Sequence, residues 1–135
     1  MAATGRHGAR RLLVQALYQR QLAGHDFAEL ANQFCGDAAF GHVDGDYFRE
    51  LLRDILDREA ELDAAVGGVT DRPVAQLDPV ERGILRLGAA ELRLRPDVPA
   101  RVAINEAVQL AREFGAQDSH RYVNAVLDRL AAERP

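Results

Sequence analysis

The sequence predicts an all-α protein, a compact helical bundle in one domain over residues 1–135, and three observations carry that reading. Apolar residues recur at helical spacing along nearly the whole chain, and no segment alternates apolar and polar residues between hairpin turns. The periodic runs are also punctuated by capping acids, prolines and glycines. A first helix over about 6–23 places Ala9, Leu12, Leu13, Ala16 and Leu17 on one stripe and stops at Gly24. Asp26 and Glu29 form a capping box for a second helix, which ends before Gly36. A third begins near 44–46 and carries Tyr47, Phe48, Leu51, Leu52, Ile55, Leu62 and Val66 to the stop at Gly67 and Gly68. It is expected to run unbroken for about 20 residues, roughly 30 Å. In LDPVERG, Asp78 is the predicted N-cap, Pro79 the first helical residue and Glu81 the third. That fourth helix is apolar round most of its circumference, so it is expected at the centre or under a partner. Pro96 ends it, a fifth helix follows over about 99–114 up to Gly115, and a sixth over about 118–133 stacks Tyr122, Val123, Val126, Leu127 and Leu130.

At 135 residues with 47% apolar composition, the chain can bury one core without a metal or disulfide staple. No apolar run approaches the ~20 residues of a membrane span, which predicts a soluble, cytoplasmic protein. The lone Cys35 reads as a small, half-buried apolar residue. Net charge is −4, unevenly placed: +4 over residues 1–25, −8 over 26–66, balanced thereafter. An arginine-bearing start on an acidic protein points to a local anionic contact rather than to general affinity for polyanions. The segment 36–43 is expected to be the most mobile loop.

The run Asp118, Ser119, His120 contains the residue types of a hydrolase triad, but successive helical residues diverge by about 100° and their side chains do not converge. Asp118 is better placed as the N-cap of the last helix, accepting from the backbone N–H of Arg121 or its neighbour. No His, Cys and acid cluster has metal-ligand spacing and no Gly-rich phosphate loop is present, so no enzyme activity, metal or cofactor is expected. Glu91, inside the apolar stripe of the fourth helix, requires an ion pair with an arginine.

What remains is a binding surface. Arg11, Val14, Tyr18 and Leu22 form a second stripe on the first helix, opposite its core face. A tyrosine flanked by arginines is a chemistry that holds unpaired bases, the ring stacking while guanidiniums meet phosphate.

The segments VQALYQRQL (14–22), DYFRELL (46–52), PVERGILRLGAAEL (79–92) and DVPARVAINEAVQLAREFGAQDSHRYVNAVLDRL (97–130) closely resemble the NusB family of bacterial transcription antitermination factors. The resemblance implies an all-helical fold of two packed three-helix bundles and a non-enzymatic role. NusB-like proteins pair with ribosomal protein NusE and bind the single-stranded boxA element of ribosomal RNA leaders, helping RNA polymerase pass terminators. The family's RNA contacts map onto Arg6, Arg10, Tyr18, Asp118, Arg121 and Tyr122. Glu81 falls in its NusE-facing region, where its capping-box position also gives it a local role, and Leu22 on the second stripe joins it as a candidate partner contact. His7 and Gly8 interrupt the arginine run that family members carry, with Gly8 expected to fray the first turn, so RNA affinity without NusE is expected to be low. In this reading the arginine-tipped end of the first helix and the first turn of the last helix meet in a single groove. Two other readings compete: a helical homodimerisation module, and the NusB-like domain of an RNA cytosine methyltransferase, for whose catalytic domain 135 residues leave no room.

Overall fold

The computed structural model describes residues 5–134. Seven α-helices follow one another: α1 Gly5–Ala23, α2 Phe27–Cys35, α3 Gly45–Asp57, α4 Glu59–Gly67, α5 Pro79–Leu94, α6 Ala100–Phe114 and α7 Ser119–Ala131. Short 3-10 turns at Ala38–His42 and Val74–Gln76 join α2 to α3 and α4 to α5. Among the described residues the only β pairing is an isolated bridge between Gly5 and Val43.

Helices α1, α2 and α3 pack on one another, as do α5, α6 and α7, and α5 joins the two groups by packing also on α1, α3 and α4. The apolar spacing of α5 explains its central place. Ile84, Leu85, Leu87, Ala89, Ala90 and Leu92 are all buried, and each large aliphatic side chain so enclosed contributes roughly 1.5–3 kcal/mol. Gly88 lets α7 approach closely, since a Cβ there would lie 2.6 Å from Leu127 Cδ1.

Side-chain caps fix the starts of α2, α3 and α5. The Asp26 and Glu29 capping box is complete in both directions, Asp44 accepts from the Tyr47 N–H, and Asp78 accepts from Val80 and Glu81 with Pro79 leading the helix. Gly24, at φ +72°, supplies the left-handed residue that ends α1.

Several expectations are corrected. The third helix is two: Arg58, at φ −128° and ψ 27°, breaks it. The bend carries the chain from α3, packed on α1 and α2, to α4, packed on α5 and α7. There Asp63 accepts from Arg86 at 2.7 and 2.8 Å and from Arg82 at 2.8 Å. Burial pushes the Asp63 carboxyl up, but the two arginines outweigh it and hold its pKa below the ordinary value. Gly8 does not fray α1; it is buried within the helix. Cys35 is exposed, with the Arg49 guanidinium 3.5 Å from its sulfur. Apart from these corrections, segment 36–43 holds a 3-10 turn capped by Asp37, and Phe40 sits edge-on to Phe48 at 5.7 Å.

Candidate nucleic-acid interface

Helix α1 presents two different ends. At its N-terminal end, Arg10 is buried, 4% exposed. It donates from Nε to Glu91 at 2.8 Å and from Nη1 to Glu106 at 2.7 Å. The fully buried Glu91 also accepts the Tyr47 hydroxyl. Its other oxygen, Oε1, has no partner among the described residues. Burial works against the Arg10 charge, but Glu91, Tyr47 and Glu106 prevail and raise its pKa above the ordinary arginine value. Burial, with the adjoining Glu91 carboxylate second, raises the Tyr47 pKa well above that of a free phenol. Arg10, expected on the RNA surface, therefore lies inside, as the cation that the enclosed Glu91 requires.

Arg6 stands near that buried cluster. Its Nη1 is 3.2 Å from Asp97 and its Nε 4.0 Å from Asp44, and the guanidinium lies 4.2 Å from the Tyr47 ring centroid. His7 contacts Glu106 and Glu113 at 3.1 and 3.7 Å, and Arg11 pairs with Glu113 at 2.9 Å. The leading cations are thus matched by acids from the 97 loop, α5 and α6.

At the other end, Tyr18 and Leu22 face solvent, 41% and 60% exposed. Tyr18 lines an open groove of about 380 Å³ with Val14, Val80 and Phe114, mainly apolar side chains, and with Gln15 and Gln19. Phe114 closes α6 just before Gly115 and the start of α7. Sequence reasoning passed over it because a half-buried aromatic at a helix end reads as core.

The first turn of α7 forms the neighbouring surface. Asp118 occupies the N-cap position in the left-handed region, φ 71°, and its side chain makes no capping bond. Its backbone carbonyl, not its carboxylate, accepts from the Arg121 N–H at 3.1 Å. Aspartate tolerates this conformation better than most residues, at a cost on the order of 1–2 kcal/mol. The carboxylate is turned outward as a result, 3.9 Å from the Arg121 Nε. Ser119 donates to Glu81 at 2.7 Å, fastening α7 to α5. Glu81 therefore bonds across helices and does not complete a capping box with Asp78. Its carboxylate also stands 3.9 Å from Arg72 Nη1. The Ser119 hydroxyl is thus committed to Glu81 and not to His120.

Tyr122 is half-buried. Its hydroxyl bonds Thr70 Oγ1, and the Arg72 guanidinium stacks 4.1 Å from its ring centroid. Arg72 was missed because it sits in a turn without periodicity, fifty residues from the ring it covers. Together with Asp78, Glu81 and Asp118 these side chains border an open pocket of about 330 Å³.

The expected convergence is half realised. Gln21 near the end of α1 donates to the Pro79 carbonyl at 2.7 Å, so Tyr18, the start of α5 and the start of α7 share one end of the molecule. Arg6 precedes Tyr18 by twelve residues, about 18 Å of helix, and lies at the opposite end of α1. Among the described residues no group of His, Cys, Asp and Glu has the arrangement of a metal site, and no helix is long and apolar enough to cross a membrane.

The family model described as NusB matches residues 7–132. The chain belongs to the NusB family. This NusB chain is 54% identical to a transcription antitermination protein NusB from Halorhodospira halophila, over 98% of its length and 87% of the relative's. It is 50% identical to the protein of that name from Pseudomonas entomophila, over 93% and 76%. Among solved structures, NusB of T. maritima superposes with a TM-score of 0.84 at 27% identity, covering 96% of this chain and 93% of that one. A structure described as antitermination factors NusB and NusE in complex with double-stranded RNA matches with a TM-score of 0.77 at 26% identity, covering 94% and 96%. These likenesses fix the all-α NusB fold.

Proposed function

We propose that this chain is a transcription antitermination factor that binds boxA RNA of ribosomal RNA leaders together with ribosomal protein NusE, acting as a scaffold without turnover. The observation that carries the reading is the near full-length identity to relatives named as transcription antitermination proteins. The solved neighbour described with NusE and RNA supports both partner classes.

The surface is chemically suited to the task. Tyr18 and Leu22 leave large apolar area open on α1, and the first turn of α7 offers the ring of Tyr122 against Arg72, with Arg121 exposed near Asp118. An aromatic face backed by a guanidinium favours an unpaired base over a stacked duplex, in which the ring faces are already covered. Asp118, with its carboxylate turned outward, is placed to accept from a base amino or imino group. Glu81 is enclosed by Ser119 and Arg72, so its part toward NusE is chiefly to position α7 against α5. Leu22 is the open apolar contact for that protein.

A fluorescence titration of boxA RNA with the chain, NusE added or omitted, tests the reading. Tight binding with NusE and weak binding without it is expected. Absence of binding in both arms would end it, and a homodimer that NusE neither joins nor dissociates would favour self-association instead.

A further inference from the structure

All 17 basic residues of the chain are arginines. Nearly all are engaged: twelve meet an acid, Arg53 lies 4.0 Å from the Phe27 ring centroid, and Arg129 and Arg134 donate to backbone carbonyls. Among the described residues, Arg101 and Arg112 are the two with no acid, ring or carbonyl partner, and both project from α6. They stand at offsets of 0 and 11, with Asn105 and Gln109 between them at 4 and 8, so the four share an arc of about 80°.

That arc lies opposite the buried stripe of Ala103, Ala107, Leu110 and Ala111, and all four residues are exposed. No carboxylate interrupts it. The flanking acids Glu106 and Glu113 are turned toward α1, where Arg10 and Arg11 neutralise them and His7 contacts both. An uncompensated positive stripe on a protein of net charge −4 fits a polyanion. Its C-terminal end is two residues from Phe114, which borders the Tyr18 groove.

We propose that the outer face of α6 is a second stretch of the RNA path, along which the Arg112 and Arg101 guanidiniums meet phosphates of a strand leaving the groove near Phe114. The inference rests on the reading of the chain as an RNA-binding antitermination factor. The two arginines are about 16 Å apart along the helix, so the path reaches beyond the nucleotides held at Tyr18 and Tyr122. Gln109 and Asn105 supply neutral donors and acceptors between the cations. Contacts of this kind position a strand and do not read its sequence.

The test uses the full chain with NusE present, wild type against the double variant Arg101→Ala and Arg112→Ala. Two probes are titrated over a salt series: the bare boxA element, and boxA with an unpaired extension on each side. Two lost phosphate contacts make the log-affinity against log-salt slope shallower by about 1.4 for a single strand. The wild-type advantage on the extended RNA then shrinks about sevenfold between 50 and 200 mM salt. The bare element should show no difference, and lysine at both positions should restore the slope. Equal slopes for wild type and variant on the extended RNA overturn the α6 path while leaving the functional reading standing, provided the wild type binds. Failure of the wild type to bind either RNA overturns both. Loss of NusE binding in place of RNA binding makes this face a protein interface and also overturns the proposal.

Discussion

The two ends of α1 are built from similar materials and do opposite things. The first half carries Arg6, His7, Arg10 and Arg11, each matched by an acid. The second half leaves Tyr18 and Leu22 open, and its one arginine, Arg20, is held by Glu59 at 2.9 Å. Cationic sequence is therefore not the same as available charge. A buried arginine held by carboxylates is closed to phosphate, and Glu91 and Glu106 come to Arg10 from 81 and 96 residues away.

The largest effect that tests this contrast is on stability. Arg10→Ala leaves Glu91 fully buried with Tyr47 as its remaining polar partner. Removing one member of a buried pair costs about 3–5 kcal/mol, to be read from urea unfolding. Tyr18→Ala should change stability by no more than about 0.5 kcal/mol, as expected of an open surface site. A stable Arg10→Ala variant with weakened RNA binding would put Arg10 on the surface and erase the distinction.

Features of the fold set by local chemistry were readable in advance, and those set by long-range partners were not. The caps at Asp26 and Asp78 and the stops at Gly24 and Gly115 follow from residue type at helix ends. The break at Arg58 has no glycine or proline to announce it, because it reflects where α4 must pack. At the candidate site the residue pattern raised Tyr18, and the start of α7 entered only through the family resemblance. The pattern did not locate Phe114 or Arg72, whose relevance comes from neighbours distant in the chain. It also treated Asp118 as a side-chain cap, when the left-handed backbone turns that carboxylate outward.

A middle-sized effect separates the ring of Tyr122 from its hydroxyl. Tyr122→Ala should weaken boxA binding, measured with NusE present, by roughly 1–3 kcal/mol while the fold persists. Tyr122→Phe keeps the ring under Arg72 and loses the bond to Thr70, so its affinity should stay near wild type if stacking is what the ring supplies. Equal affinity in wild type and Tyr122→Ala would remove Tyr122 from the interface and leave Tyr18 as the aromatic contact.

The smallest expected effect is the most discriminating about α1. Arg6 is partly exposed and pairs with Asp97 and Asp44 on the surface, an arrangement worth no more than about 1 kcal/mol. Arg6→Ala should therefore lower stability by less than that, and it should leave the salt dependence of RNA binding unchanged. Removing Arg6 also leaves Asp97 and Asp44 less compensated, a screened effect on affinity that is small beside the loss of a direct phosphate contact. The slope and not the affinity is thus the informative quantity, because a true phosphate contact contributes about 0.7 to it on a single strand. A slope reduced by that amount would return the tip of α1 to the RNA surface. An unchanged slope, beside a reduced one for the double alanine variant at Arg101 and Arg112, would place the available charge on α6.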